Sequence, residues 1–317
     1  MLDTLTSALV SPVVKGDKLQ QVLDQLDQVV VGKPQQIRLA LTCVLAGGHL
    51  LIEDLPGMGK TVLAYALAHT LGLDHKRVQF TNDLLPSDLI GSSVFDRNTS
   101  HFHFRQGPVF SRILLADEIN RATAKSQSAL LEAMEEGQVS VDGETHPLPA
   151  PFFVIATQNP SEHVGTFPLP EAQLDRFLIR IELGYVNKKA EIALFKGSDR
   201  RDLLQKLPAV LSADEILDFQ QQLKDIHASD AILEYLYEIV SFTRQSGWFR
   251  AGLSTRAGLM LLKAAKAWAL LHGRPHLVPA DLQAVLPGVV GHRLQSIEGA
   301  SRRKNIAKDI IESIPIL

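Results

Sequence analysis

One cysteine, Cys43, is the whole thiol content of these 317 residues. That excludes an internal disulfide and a cysteine-based metal cluster. Charge of one sign is also lacking: 32 Lys and Arg stand against 35 Asp and Glu, a net −3. A balance so close to neutral excludes bulk attraction to nucleic acid or to an anionic membrane surface. No apolar run is long enough to cross a bilayer. The N-terminus, MLDTLTSALVSPVVKGD, carries Asp3 and lacks the basic start and long apolar stretch of a secretory leader. No internal repeat or low-complexity segment interrupts the chain. The expectation is a cytoplasmic globular protein with no membrane insertion. Its 45% hydrophobic residues are enough to build the cores of two modest domains.

What is present divides in two. Up to residue 184, apolar runs alternate with helical patterns: HLLIE (49–53), RVQF (77–80), RILLAD (112–117), FFVIAT (152–157) and FLIRIEL (177–183). Such alternation predicts a parallel sheet with helices on both faces. Residues 185–210 are charge-rich and read as a linker holding one helix. From residue 211 to 317 the pattern is helical. Ser212 with Glu215 makes a capping box, Ser254 caps a helix reaching toward Gly273, and Pro279 suits a first turn. Two hairpins are inserted in the first part. VSVDGETH (139–146) turns at Asp142-Gly143, and SSVFDRNTSHFHF (92–104) turns within Arg97–Ser100. Either can be edge decoration or a grip for a partner.

Ligands in an open parallel sheet bind beyond the carboxyl ends of its strands. There the first run leads into DLPGMGKTV, which places Pro56, Gly57, Met58, Gly59, Lys60, Thr61 and Val62 between a strand and a helix. This is a phosphate-binding loop in all but its first position, where Asp54 replaces glycine. The glycines let backbone N–H groups turn toward phosphates, and the following helix adds positive dipole. Lys60 can reach the β- and γ-phosphates, and Thr61 can ligate Mg²⁺. Asp54 is expected to point away. The run ILLADEIN ends in Asp117-Glu118, an acidic pair that is costly at a buried strand end without a purpose. Asp117 can hold Mg²⁺, and Glu118 can polarise a water for attack on the γ-phosphate. Asn159 follows the strand at 152–157, where an amide can orient that water or sense the phosphate.

Two arginines complete the constellation. Arg176, in LPEAQLDRFLIRI, lies too far along the fold for its own site and is expected to serve a neighbouring subunit. Arg256, in the first turn of the helix after Ser254, is expected to reach over the γ-phosphate and couple the two domains.

LPGMGKT, QFTNDLLPSDLIG, FRQGPVF, ADEINRATAKSQSALLEAMEEGQVSVDG, ATQNP and FPLPEAQLDRF together resemble the MoxR family of AAA+ ATPases. The likeness runs from about residue 25 to residue 300. It implies an α/β fold: a P-loop NTPase core with a five-stranded parallel sheet, followed by an all-α lid. It implies ATP with Mg²⁺ at the junction of subunits in a ring, a hexamer. It assigns Arg176 as trans-acting finger, Asn159 as sensor one, Arg256 as sensor two and Val31-Gly32 to adenine, with Arg121 as a weaker inter-subunit rival. It implies remodelling of protein complexes with von Willebrand factor A domain partners. The hairpins at 92–104 and 139–146 resemble the family's inserts.

Other features carry less. His101 and His103 lack a third metal ligand nearby, Trp248 and Trp268 read as packing groups, and SRRK (301–304) as a solvated face. Two alternatives stay open: a nucleic-acid-linked motor or loader, and a nucleotide-gated scaffold that does not hydrolyse. The first needs basic, ring-lining loops, and the hairpins offer only Arg97, Arg105 and histidines. The intact acidic pair weighs against the second.

Overall fold

The computed structural model describes residues 12–159, 167, 169–196, 203–204, 207–297 and 305–315. Outside them lie the first eleven residues, part of the expected linker and the basic run 301–304. Helices α1 (Pro12–Val29) and α2 (Pro34–Leu45) precede β1 (Leu50–Glu53), which runs through the phosphate loop into α3 (Lys60–Thr70). Then come β2 (His75–Gln79), α4 (Pro86–Ile90), β3 (Gly91–Asp96), β4 (His101–Gln106) and β5 (Ile113–Asp117). The core continues with α5 (Ala124–Glu136), β6 (Gln138–Val141), β7 (Glu144–Pro147), β8 (Phe153–Gln158), α6 (Glu171–Leu174) and β9 (Ile179–Ile181). After it follow α7 (Lys188–Lys196), α8 (Ala213–Gln222), α9 (Asp230–Gln245), α10 (Thr255–Leu271), α11 (Pro279–Val290) and α12 (Ile306–Ser313).

Five strands form one sheet in the order β2-β5-β8-β1-β9, and every pairing is parallel. The fold is the expected α/β core followed by a helical lid. Strand period decides which side chain faces which layer. Leu50, Ile52, Ile113, Leu115, Phe153 and Ile155 join α1–α3 on one face, while Leu51, Leu114, Ala116, Val154 and Ala156 join α5 on the other. With both faces covered, the central strands are continuous apolar runs. Edge strand β2 reads HKRVQ and is largely exposed, as an unpaired edge requires.

The lid shares the first of these layers. α10 packs on α11 and α2, and α11 packs on β9. Gly288 permits that approach, since a Cβ there would meet Ile179 Cγ2 at 2.9 Å. The capping box forms as read: Glu215 N donates to Ser212 Oγ at 3.3 Å, and Ser212 N to Glu215 Oε2 at 3.0 Å. Ser254 Oγ accepts from Ala257 N at 3.0 Å, and Pro279 opens α11.

Both hairpins form. The β6–β7 turn has φ of 52° at Asp142 and 83° at Gly143, the signature of a type I′ turn. They are clasped to each other: Ser93 Oγ bonds Asp142 Oδ2, and the rings of Phe104 and His146 stack at 4.1 Å. Phe95 and Phe102 lie together at the exposed end, 5.2 Å between ring centroids.

Candidate nucleotide-binding site

β1 delivers the chain to the loop, and α3 receives it. Gly57 and Gly59 hold φ of 83° and 90°, a region that side chains resist. Positions where their Cβ atoms would stand have no heavy atom within 4 Å. The loop is therefore an open cradle at the N-terminus of α3, fitted by geometry and dipole to an anion. Pro56 and Gly57 are exposed, whereas Met58, Gly59, Thr61 and Val62 are half-buried. Met58 and Val62 pack against the first apolar layer.

Asp54 turns its carboxylate outward from the cradle. Oδ1 accepts from Leu55 N at 2.8 Å, and Oδ2 from Gly184 N at 2.6 Å. Its φ is not among the positive values, so glycine is not required there. Lys60 is 8% exposed. Its Nζ donates to Asn159 Oδ1 at 3.0 Å and to the Asp54 carbonyl. Burial pulls the Lys60 pKa down, and Asp54, Asp117, Glu118 and Glu53 oppose that pull.

The neighbouring strands β5 and β8 supply the acids and the amide. Thr157 on β8 locks the pair, donating to Asp117 Oδ1 and accepting from Glu118 N at 2.9 Å. Glu118 occupies the left-handed region, with φ 53° and ψ 50°. For a non-glycine residue that costs about 1–2 kcal/mol, a strain that clusters at functional sites. Three donors hold its carboxylate: Asn159 Nδ2 at 3.1 Å, Gln79 Nε2 at 2.8 Å and Arg121 Nη1 at 2.8 Å. Asn159 thus spans Lys60 and Glu118 with its two ends. Arg121 pairs with Glu118 of its own chain.

The structure brings Lys60, Asp117, Glu118 and Asn159 together and leaves the two arginines elsewhere. Arg176 Nε meets Glu135 Oε2 at 2.8 Å, and Arg256 Nη1 meets Glu135 Oε1 at 2.8 Å. Glu135 follows Met134, whose carbonyl lies 3.2 Å from His49 Nε2. His49 precedes β1, and its carbonyl accepts from Leu178 N at 2.9 Å. Glu135, Arg176 and Arg256 therefore sit at the amino edge of the sheet, opposite the cradle. Arg256, expected over its own γ-phosphate, stands here on Glu135 and 3.8 Å from Asp175. Its place is set by lid packing on α2 and β9, which carries the first turn of α10 to that edge.

Val31 is half-buried and Gly32 exposed, with φ 76°. A Cβ on Gly32 would meet Ala190 Cβ at 2.8 Å, so this turn abuts α7. Beside it the buried Lys33 donates to the carbonyls of Gly184 and Tyr185 at 2.8 and 2.7 Å. Arg77 was also missed from the sequence: its Nη2 meets Asp117 Oδ2 at 2.6 Å. Strand alternation puts Arg77 and Gln79 on one face of β2, and Gln79 is in register with Asp117. That pattern was the available signal. The metal donors, the Thr61 hydroxyl and the Asp117 carboxylate, are oxygen atoms, a set that fits a hard cation such as Mg²⁺. Among the described residues no helix is long and apolar enough to cross a membrane.

Known proteins resemble this chain over most of its length. A family model described as the ATPase family associated with various cellular activities matches residues 49–179, and an AAA lid domain model matches residues 241–314. The chain is 46% identical over 276 residues to YeaC of Bacillus subtilis, covering 87% of this chain and 86% of that protein. It is 39% identical over 287 residues to the chaperone MoxR1 of Mycobacterium tuberculosis, covering 87% and 75%. It is 31% identical over 318 residues to protein MoxR of Methylorubrum extorquens, covering 92% and 91%. A crystal structure of a candidate ATPase from Cytophaga hutchinsonii superposes with a TM-score of 0.85 at 36% identity, covering 96% of this chain and 97% of that one.

Proposed function

The chain belongs to the MoxR family of AAA ATPases, and from that premise we propose that it binds ATP with Mg²⁺ in the cradle and hydrolyses it to remodel protein complexes. The observation that carries the reading is the convergence of Lys60, Asp117, Glu118 and Asn159 beside an open glycine loop.

In this reading the N–H groups of residues 56–61 and the dipole of α3 hold the triphosphate. Lys60 leaves the Asp54 carbonyl for the β- and γ-phosphates while Asn159 keeps contact with it. Thr61 and Asp117 hold Mg²⁺, which supplies charge neutralisation on the phosphates. Glu118 is the general base. Its grip by Gln79, Arg121 and Asn159 fixes the carboxylate, and Asn159 aligns the attacking water. Val31 and Gly32 lie toward the adenine. Arg176 and Arg256 cannot serve this cradle from the far edge of the sheet. Both are assigned to the site of a neighbouring copy, where a guanidinium neutralises transition-state charge. A closed ring, a hexamer, is the assembly that lets every copy give and receive them.

ATP turnover would move lid against core, and the clasped hairpins would pass that motion to a client. A partner carrying a von Willebrand factor A domain is the one the family resemblance favours, in the cytoplasm. Glu118→Gln tests the chemistry. ATP affinity should stay within about threefold of the parent, while phosphate release falls by at least about a hundredfold. Full turnover in that variant would end the reading.

A further inference from the structure

Arg293 lies in the turn after α11, and its side chain is only 5% exposed. A guanidinium buried so deeply is costly unless its donors are met. Here they are met largely by one segment of the core. Nε donates to Asp175 Oδ1 at 2.7 Å, and Nη2 to the carbonyls of Asp175 and Phe177 at 2.9 and 2.7 Å. Nη1 donates to the carbonyl of Leu178 at 3.3 Å and to that of Val289 at 2.6 Å. Burial pulls the Arg293 pKa down, and Asp175 opposes it. His292 beside it is pushed well below its usual range, first by burial and then by Arg293. The pair therefore places one charge there rather than two.

Asp175 connects this plug to the arginines. Its Oδ2 faces Arg256 Nε at 3.8 Å. Arg176 is the next residue along the chain and shares Glu135 with Arg256. One arginine comes from the core and the other from the lid, so their spacing depends on what joins the two at this point. A buried ion pair is a poor source of net stability but fixes geometry, since its hydrogen bonds tolerate little displacement.

We propose that Arg293 is a positioning residue for the arginine face: it pins Asp175–Leu178 to the lid, so that Arg176 and Arg256 meet the neighbouring copy as one rigid pair. This rests on the reading that both arginines complete a neighbour's site. Arg293 touches no nucleotide. Its loss should lower turnover in the adjacent copy and spare ATP binding in its own.

Mixed assemblies test this. Arg293→Met alone should lose about a hundredfold in kcat, the penalty for a misplaced group, with the KM for ATP unchanged. Glu118→Gln alone should be inactive. Mixed in equal amounts, they should recover about a quarter of parental turnover, the share of interfaces joining an intact site to an intact arginine face in a random ring. Arg176→Ala mixed with Glu118→Gln is the control. Recovery in both mixtures supports the proposal. Recovery with Arg176→Ala but not with Arg293→Met overturns it, because the Arg293 defect would then lie in its own chain. Parental activity in Arg293→Met alone also overturns it. Recovery in neither mixture overturns the reading of a shared site, and the proposal with it. Asp175→Asn, at a half-exposed position, is the second variant should Arg293→Met fail to fold; it should show a smaller loss and the same rescue, and a loss without rescue counts against the proposal.

Discussion

At Asp54 a carboxylate stands where phosphate loops carry glycine, and its two oxygens are spent on the N–H groups of Leu55 and Gly184. Asp54→Gly should therefore leave the cradle open and change ATP affinity by no more than about tenfold, roughly 1.4 kcal/mol. Titration with a fluorescent nucleotide checks it, and a much larger gain would mean that the native carboxylate repels the phosphates. His49 makes a different prediction. Its Nδ1 accepts from Val154 N at 3.0 Å, and Nε2 faces the Met134 carbonyl at 3.2 Å. The neutral ring satisfies both, and burial lowers its pKa to about 4. Unfolded, the same ring titrates near its ordinary value, so the unfolded chain binds the extra proton first. Stability from this group is full above about pH 6.5 and falls by about 1.4 kcal/mol per unit as pH drops toward the folded value. Denaturant melts of the parent and of His49→Gln between those limits should show a shallower pH slope in the variant; parallel slopes would remove His49 as the cause.

Among the elements, α10 joins cap, lid packing and chemistry. Ser254 caps it, and Arg256 lies in its first turn. Ser254→Ala should cost about 1 kcal/mol of stability. It should also reduce turnover more than ATP binding, because fraying the first turn loosens Arg256. Equal losses in both would argue that α10 supports the cradle itself. The same helix marks what the sequence made legible. Its cap, length and apolar stripe were readable, because local pattern sets them. The edge of the sheet to which it brings Arg256 was not, because that depends on how the lid lies on α2 and β9. Strands β1, β5 and β8 stood out because burial on both faces makes them apolar throughout. Edge strand β2, with His75, Lys76 and Arg77, was read two residues late at its start. The final strand was read too long, since Phe177 and Leu183 are buried without pairing. Lys60, Asp117, Glu118 and Asn159 were legible because each lies at a strand's carboxyl end or in the turn beyond it. Lys33 and Arg293 were not, because their partners are mostly backbone carbonyls, which leave no mark in sequence.

For the whole molecule, the distance between the cradle and the arginine pair on Glu135 has a kinetic consequence under the proposed function. β1 alone, four residues long, rises roughly 13 Å, and the arginine pair lies beyond its far end. An arginine side chain cannot span that strand. On the proposed reading, binding by the cradle is a property of one chain, whereas turnover needs two. Net charge is −3, too small for long-range repulsion to prevent assembly. On dilution, phosphate released per chain should fall steeply once protein concentration drops below that of assembly, while the Kd for ATP changes by less than about threefold. Arg176→Ala should show the low rate at every concentration. Steady-state rates over a dilution series, with sedimentation velocity at the same concentrations, separate the two. A rate per chain that stays constant while the assembly dissociates would place a complete catalytic site within a single copy, and Arg176 and Arg256 would then have to leave Glu135 and cross the sheet edge to reach it.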